Sequence, residues 1–236
     1  QHALGQLSNK GVETFLAYIH KHAANAVGLL KECGFRYCTS ISKFQFAPPD
    51  DWKRPEALPK IGLRESHNWD AKYIAALYTD SLPPEIRVSL RKNAEELYPN
   101  ISQNFIRQCK GQFYKSWVLP HRSQEYCQAF LSIQSPNYRD FKISLIYSIA
   151  VDDDLDDLIT FALYQCFLNG SRITVNIDVY GYQKKLTEYL ESQAFEKLSE
   201  QDILVKDHWI PLQDKEKSLI KNPLLLFGEE GKTSPA

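Results

Sequence analysis

The chain has 236 residues, of which 43% are hydrophobic and 24% charged, and its formal net charge is −1. This composition excludes collagen-like and intrinsically disordered proteins. The near-zero net charge does not indicate the clustered Lys and Arg that nucleic-acid binding needs. No apolar run approaches the roughly 20 residues that span a bilayer.

Cysteine usage and the N-terminus indicate where the protein works. The five cysteines are scattered and show no C-x-x-C spacing, which is typical of reduced thiols. The N-terminus lacks the charged-then-apolar pattern of a signal peptide. We therefore expect a cytoplasmic protein that has neither nucleic acid nor a membrane as a partner.

The first part of the chain alternates between helical and strand patterns. The patterns predict the end of a helix, a strand, a helix and one or two strands, at residues 1–9, 13–19, 22–32 and 35–46. Residues 47–58 are rich in proline and charge and predict an extended linker.

From residue 59 onwards the pattern predicts strand, two helices, three strands, helix, strand, helix and a strand pair. The ranges are 60–66, 68–82, 84–98, 112–119, 125–134, 141–150, 153–170, 173–179, 183–192 and 195–209. Short polar connections between the three strands are typical of antiparallel hairpins. A helix between strands 141–150 and 173–179 predicts that they run parallel as neighbours, so the sheet should be mixed.

An internal repeat appears when the chain is shifted by 160 residues. Asn9 then falls on Asn169, Thr14 on Thr174, Leu30 on Leu190 and Phe35 on Phe195. The same element order continues through the overlap, although chance similarity of two helix–strand units stays open as the alternative. The repeat predicts that residues 1–46 end a first domain and that 47–58 form the linker. Residues 59–210 would then form a second domain, and residues 211–236 a tail.

Residues 25–35 of the first copy carry a family resemblance. The GNAT acyltransferases often have N-x-x-A-x-x-L-Y-x-x-x-G-F before their last strands, which Ala26, Leu29, Gly34 and Phe35 match. Ala23 and Leu30 depart from the pattern, and the second copy keeps only its Phe. The resemblance implies a GNAT-like α/β fold with a mixed (α+β) sheet. It also implies acetyl-CoA or another acyl-CoA as cosubstrate, a small-molecule or peptide amine as acceptor, and Asn25 as a cofactor contact.

The cofactor loop of that family, Q/R-x-x-G-x-G/A, falls on residues 150–157 of the second copy. Glycines there let the backbone approach the CoA pyrophosphate at a helix N-terminus. This chain instead has five aspartates and no glycine between 150 and 157. We expect the first copy to bind the acyl-CoA, with an intact loop within about a dozen residues before Gln1 under the repeat.

The remaining cofactor candidates in the second copy are backbone groups. By resemblance, the backbone of Ser148, Ile149 and Ala150 would orient the thioester, and no catalytic side chain is predicted. The acidic run could bind a divalent cation, but a helix start with Asp153 or Asp154 as N-cap is favoured. His20 and His22 could hold a metal or act as a base, but a polar loop is favoured, so no metal site is predicted.

An aromatic group on two paired strands also leaves two interpretations open. It could line a substrate cavity, but plain core is favoured. Its members are Phe113, Tyr114, Trp117, Tyr126 and Phe130.

Two functions fit these observations. The first is an N-acetyltransferase that moves an acyl group from acyl-CoA to an amine, with a non-catalytic second copy. The alternative is a catalytically inactive GNAT-like module that binds a ligand or another protein, which the acidic loop and Leu30 favour. Whether the chain is an enzyme is left open by the sequence.

Overall fold

The computed structural model describes residues 14–48, 58–99, 106–107, 109–121, 126–168, 170 and 173–207. The predictions for residues 1–9, for most of the linker and for the tail 211–236 lie outside these ranges. The chain divides into a main unit, residues 16–205, and a unit formed by residues 1–15 and 206–236. Within the second unit, Thr14 Oγ1 donates a hydrogen bond of 3.4 Å to Asp207 Oδ1.

The elements follow the predicted order. The strands are β1 (Thr14–His20), β2 (Arg36–Phe46), β3 (Arg64–Glu65), β4 (Phe113–Pro120), β5 (Cys127–Ser135), β6 (Asp140–Tyr147), β7 (Thr174–Tyr180) and β8 (Glu196–Asp207). The helices are α1 (Ala24–Glu32), α2 (Ala71–Ser81), α3 (Pro84–Arg87), α4 (Ala94–Leu97), α5 (Leu155–Phe167) and α6 (Lys184–Ser192), and 3-10 turns precede α2 (Asn68–Asp70) and α5 (Ile149–Asp154).

The strands form one mixed sheet in the order β1-β8-β2-β7-β6-β5-β4-β3. The β3–β4, β4–β5 and β5–β6 pairs are antiparallel, whereas β6 and β7 are parallel. The predicted parallel crossover through α5 is therefore confirmed, and so are the hairpins on either side of β5. The predicted mixed α/β sheet is confirmed with them.

Helices pack on both faces of the sheet. Period-two alternation points Val175, Ile177 and Val179 of β7 into a core with α5 and α6. On the opposite face, α2 and α3 contribute Tyr78 and Ile86 to a smaller apolar cluster. The apolar clusters therefore lie on both sides of the sheet, and the opposite face also carries polar strand residues.

The elements of the two repeats begin at equivalent positions in the sequence. Each of β1, α1 and β2 begins 160 residues before β7, α6 and β8, respectively. β2 lies between β7 and β8 and is antiparallel to both. In the β2–β8 ladder Ile41 faces Gln201, its own equivalent under the shift, which makes that pair the centre of a local two-fold relation. The assignment of residues 1–46 to a first domain remains a prediction.

Matching hydrogen bonds extend this two-fold relation. The Gly181 N–H donates to Ser40 O at 2.8 Å, and the equivalent Lys21 N–H donates to Glu200 O at 3.3 Å. Both bonds join the residue after one repeat's first strand to the other repeat's long strand. The first strand of each repeat thus lies next to the long strand of the other repeat within one sheet.

The single helix predicted at residues 84–98 is wrong. The Leu90 carbonyl accepts a 2.7 Å hydrogen bond from the Tyr78 hydroxyl, whereas a continuous helix would pair it with the N–H of Ala94. A new helix begins at Asn93, whose side chain and that of Glu96 form a capping box. The segment is consequently two short helices joined by an irregular turn.

Three strand predictions also needed correction. The strand pair predicted at residues 195–209 is one strand, β8, as far as Asp207, because residues from Glu196 to Val205 pair with β2 along a single ladder. β6 ends at Tyr147, so residues 148–150 are not strand but lead into a 3-10 turn. The strand expected at 60–66 is limited to Arg64 and Glu65.

Candidate functional site

The parallel strands β6 and β7 separate part-way along their length. The β6–β7 ladder runs from the Asp140–Thr174 pair to the Ile143–Ile177 pair. Beyond it, residues 144–147 of β6 pair with β5, and residues 178–180 of β7 pair with β2. Each strand keeps its outer neighbour, so the gap between them presents main-chain groups that a ligand can satisfy.

A cavity of about 260 Å³ opens onto this gap. Its walls include Ser144, Leu145 and Ile146 of β6, Asp178 and Tyr180 of β7, and Tyr78, Lys92 and Glu96 from the helical side. The Lys92 ammonium lies 5.5 Å from the centroid of the Tyr78 ring, within the range of a cation–π interaction. The helical side of the gap is thus both aromatic and charged.

Tyrosines next to this cavity are held in the neutral form. The rings of Tyr180 and Tyr182 are stacked, with 5.4 Å between their centroids. Burial raises the pKa of Tyr180 to about 12, and burial also raises the pKa of Tyr78 and that of Tyr182 above the ordinary value. At neutral pH these hydroxyls therefore act as hydrogen-bonding groups rather than as anions.

A second cavity of about 530 Å³ lies on the same polar face of the sheet. The two cavities share Arg107, Gln134, Lys142 and Asp178 among their lining residues. The ammonium of Lys142 lies 2.5 Å from the Asp178 carboxylate. Together the cavities form a polar groove across β5, β6 and β7, which we call the sheet groove.

Ser148, Ile149 and Ala150 lie together just after β6, where the sheet gap ends. The N–H of Ser148 donates a 2.9 Å hydrogen bond to Gln128 O, and its carbonyl accepts from Val151 N–H at 3.0 Å. Ile149 is 87% exposed. Ser148 therefore caps a 3-10 turn that begins with Ile149 and Ala150, whereas the sequence placed all three in a strand, and their role as cofactor contacts stays a prediction.

The acidic run surrounds the N-terminus of α5. Asp154 occupies the N-cap position, as one of the two predicted residues, but its side chain makes no capping hydrogen bond. Asp153, Asp156 and Asp157 are exposed. The Asp156 carboxylate accepts a 2.7 Å hydrogen bond from the Tyr189 hydroxyl of α6, so one acid of the run ties the two helices together.

Asn25 and the two candidate histidines lie in the first repeat. Asn25 is an exposed residue in the first turn of α1, and no described hydrogen bond or ring contact joins it to Ser148, Ile149 or Ala150. His20 Nε2 is 3.5 Å from Gln201 Nε2, and His22 is exposed. Among the described residues there is no group of three or more potential metal ligands. Nor does any described helix have the length and apolar character needed to cross a membrane.

The aromatic group of β4 and β5 divides between core and groove. Trp117 is buried, and the centroid of its ring lies 5.3 Å from that of Phe161 in an edge-to-face arrangement. Tyr114 and Phe130 line the smaller cavity, and Phe113 lines the larger one. Sequence reasoning missed Lys92, Glu96 and Arg107. The Asn93–Glu96 capping pattern could have predicted a helix start next to Lys92, but it carries no information about a cavity.

Solved structures of low sequence identity share this architecture. A tandem GNAT protein from the clavulanic acid biosynthesis pathway is 10% identical, with a TM-score of 0.53, and the match covers 89% of this chain and 69% of that one. A GCN5-related N-acetyltransferase from Sphaerobacter thermophilus is 14% identical, with a TM-score of 0.52, and the match covers 84% of this chain and 62% of that one. No protein-family model and no curated protein matches the sequence. The chain has the fold of the GNAT N-acetyltransferases.

Proposed function

We propose that the chain is part of a tandem acyl-CoA-dependent N-acyltransferase whose second copy is non-catalytic. In this proposal residues 1–46 end the first GNAT-like domain, 47–58 link the two, 59–210 form the second domain and 211–236 are its tail. The first copy binds acetyl-CoA or another acyl-CoA, and the acceptor is a small-molecule or peptide amine. The observation that carries the proposal is the acidic N-terminus of α5.

Electrostatics at this helix start disfavour the CoA pyrophosphate. A bare helix N-terminus attracts an anion by about 0.3–1 kcal/mol. A carboxylate about 4 Å from a phosphate charge opposes it by about 1 kcal/mol even in water. Five carboxylates occupy positions 152–157, and no glycine allows a close backbone approach. The residues present therefore do not fit the phosphates of CoA.

The first repeat offers indirect support for a tandem protein. Leu186 and Leu190 of α6 are buried against α5 and the sheet. Their equivalents in α1 are Ala26 and Leu30, and α1 has no buried residue. A strand and helix of the β6–α5 type would cover this face, and we propose that the first copy supplies them.

Calorimetric titration of the full chain with acetyl-CoA tests the second copy. We expect no micromolar binding, because the acidic run repels the phosphates. The combined substitution Asp152→Gly, Asp153→Gly and Asp154→Gly should then strengthen binding by about tenfold or more, since about 1.4 kcal/mol is sufficient for that change. Residues 59–236 alone are unsuitable for the test, because β2 lies between β7 and β8.

A charge-matched variant controls this experiment. Glu32→Gln, Glu65→Gln and Glu85→Gln remove three exposed acids far from α5 in sequence and should leave acetyl-CoA binding unchanged. Micromolar binding by the unaltered chain would contradict a dead second site. Equal gains in both triple variants would show that net charge, rather than the helix start, controls binding.

An inactive GNAT-fold module is the second candidate function. The acidic run at 152–157 and Leu30, which departs from the family pattern, favour it. Turnover separates the two proposals. Release of CoA thiol in the presence of amines by the full-length protein supports the enzyme, whereas absence of turnover with an intact fold supports the module.

A further inference from the structure

Arg107 combines a buried donor with an open cavity. Its Nη1 atom is buried and has no hydrogen-bond partner. Its guanidinium carbon lies 4.8 Å from the centroid of the Tyr114 ring, which holds the planar group by a cation–π contact. Arg107 lines both cavities of the sheet groove. Because buried donors are nearly always satisfied in native proteins, this atom indicates a missing acceptor.

The charges of the sheet groove leave room for one anion. Its walls carry four cations and three acids, namely Lys43, Lys92, Arg107 and Lys142 against Glu96, Asp140 and Asp178. The wall charge is therefore +4 − 3 = +1.

All three acids of the groove are already engaged. Asp178 pairs with Lys142, Asp140 accepts a hydrogen bond from the Asn137 amide, and Glu96 accepts one from Asn93 N–H. Within the described residues, Arg107 and Lys43 have no acid partner. A carboxylate on a bound ligand would give Arg107 the acid partner that it lacks.

We infer that Arg107 binds the carboxylate of a small α-amino acid in the sheet groove. The fork of a guanidinium matches a carboxylate in bidentate geometry. A carboxylate group is favoured over a phosphate dianion, because three acids already line the groove. The larger cavity, of about 530 Å³, is within the range of small-molecule sites, and the smaller one, of about 260 Å³, lies just below that range.

The amine end of the ligand connects this inference with the proposed function. The cavity that contains Arg107 also contains Ser144, Ile146 and Tyr180 at the β6–β7 gap. An amino acid held by its carboxylate would extend its other groups towards that gap. This step alone rests on the proposed function, since it makes the amino acid the acceptor for acylation. Binding of the carboxylate by Arg107 does not depend on it.

Binding measurements on the full chain without any CoA test the inference. The probes are the common L-α-amino acids and, for each one that binds, the matched amine without the carboxylate. We expect at least one amino acid to bind, and its matched amine to bind about tenfold more weakly or worse, as expected for loss of a charge-assisted hydrogen bond. Arg107→Gln should cause a similar loss, and Arg107→Lys a smaller one. Lys31→Gln, which removes an exposed cation from α1, should change nothing.

Three outcomes would overturn the inference: no amino acid binds, the matched amine binds equally well, or folded Arg107→Gln binds as tightly as the unaltered chain. If Arg107→Gln does not fold by circular dichroism, the comparison of amino acid with matched amine decides alone. Amino-acid binding that persists without acyl transfer would remove the proposed function while leaving this site intact.

Discussion

Gly181 and Lys21 are equivalent in the two repeats but have different neighbours. A Cβ atom at Gly181 would lie 2.5 Å from Ser40 Oγ. At the equivalent position, the Lys21 side chain extends to Glu200, with 2.9 Å between Nζ and Oε1. Gly181 is not among the described residues with positive φ. Close approach to Ser40, rather than backbone conformation, therefore favours glycine here.

Gly181→Ala should consequently destabilise the protein by about 1 kcal/mol, the lower end of the overpacking range, because the Ser40 hydroxyl can rotate away. In the Ser40→Ala background the same substitution should be neutral or stabilising, since alanine restricts the unfolded chain. Urea denaturation of the four proteins in this cycle measures both effects. Equal destabilisation in both backgrounds would show that Ser40 is not the obstacle.

The ion pair of Arg64 and Asp70 gives a pH-dependent prediction. Asp70 is 3% exposed and accepts hydrogen bonds of 2.7 and 2.8 Å from Arg64 and one of 2.8 Å from His67 N–H. Burial alone would raise the pKa of Asp70, but these donors outweigh it, so the pKa is lowered. A lowered pKa in the folded state stabilises the fold above the unfolded-state pKa of about 3.9 and ceases to do so as pH falls through the folded value.

Asp70→Asn should therefore reduce the free energy of unfolding at pH 7 by about 1.5–3 kcal/mol, as for hydrogen bonds to charged groups. The difference from the unaltered chain should shrink as the pH falls below about 4. Chemical denaturation at several pH values measures this difference. Asp153→Asn, at an exposed position, is the matched control. A pH-independent difference would show that the ionised form of Asp70 is not the stabilising one.

Single functional residues were only partly predictable from the sequence. The family resemblance predicted Ser148, Ile149 and Ala150 as cofactor contacts, and that role stays a prediction. Arg107 had no such signal. Its proposed role depends on Tyr114 on β4 and on side chains of β5, β6 and β7, and no local sequence pattern indicates that assembly.

At the scale of elements, strong periodicity predicted the structure well. The alternation of β7 and the apolar face of α5 gave correct strands and helices, because one face of each is buried in the main core. The errors at 84–98 and 195–209 have a common cause. In both segments a distant partner, the Tyr78 hydroxyl or strand β2, decides the backbone pairing against the local pattern.

The position of β2 leads to a prediction about stability. Phe46 is 2% exposed and contacts Phe167 and Phe195 of the second repeat. Phe46→Ala should destabilise the protein by about 3–5 kcal/mol, as for other buried phenylalanines. Leu16→Ala in β1, where the side chain is 40% exposed, should cost less than about 1 kcal/mol. Guanidinium denaturation compares the two, and similar small losses would contradict an integral role for β2.

At the scale of the whole molecule, the two-fold relation of the repeats is local. It holds for the strands and helices around the Ile41–Gln201 pair, whose first residues match after a shift of 160. Beyond them, β7 lies next to β6 in the sheet, and the buried residues of β7 and α6 share a core with α5. The equivalent neighbours of β1 and α1 are what the proposed first copy would provide.

Hydrogen exchange can measure this asymmetry, because amide protection follows burial and local contact density. Residues 174–192 have β6 and α5 as neighbours and include the buried Leu186 and Leu190, whereas α1 has no buried residue. We expect residues 174–192 to exchange more slowly than residues 14–32 in the full chain. The two stretches have strands and helices of equal length, so their exchange rates can be compared within one sample. In a longer protein that includes the first copy, protection of residues 14–32 should rise to the level of the second repeat. Equal protection in this chain would mean that something other than a first copy already covers α1, and would remove the main structural support for the tandem proposal.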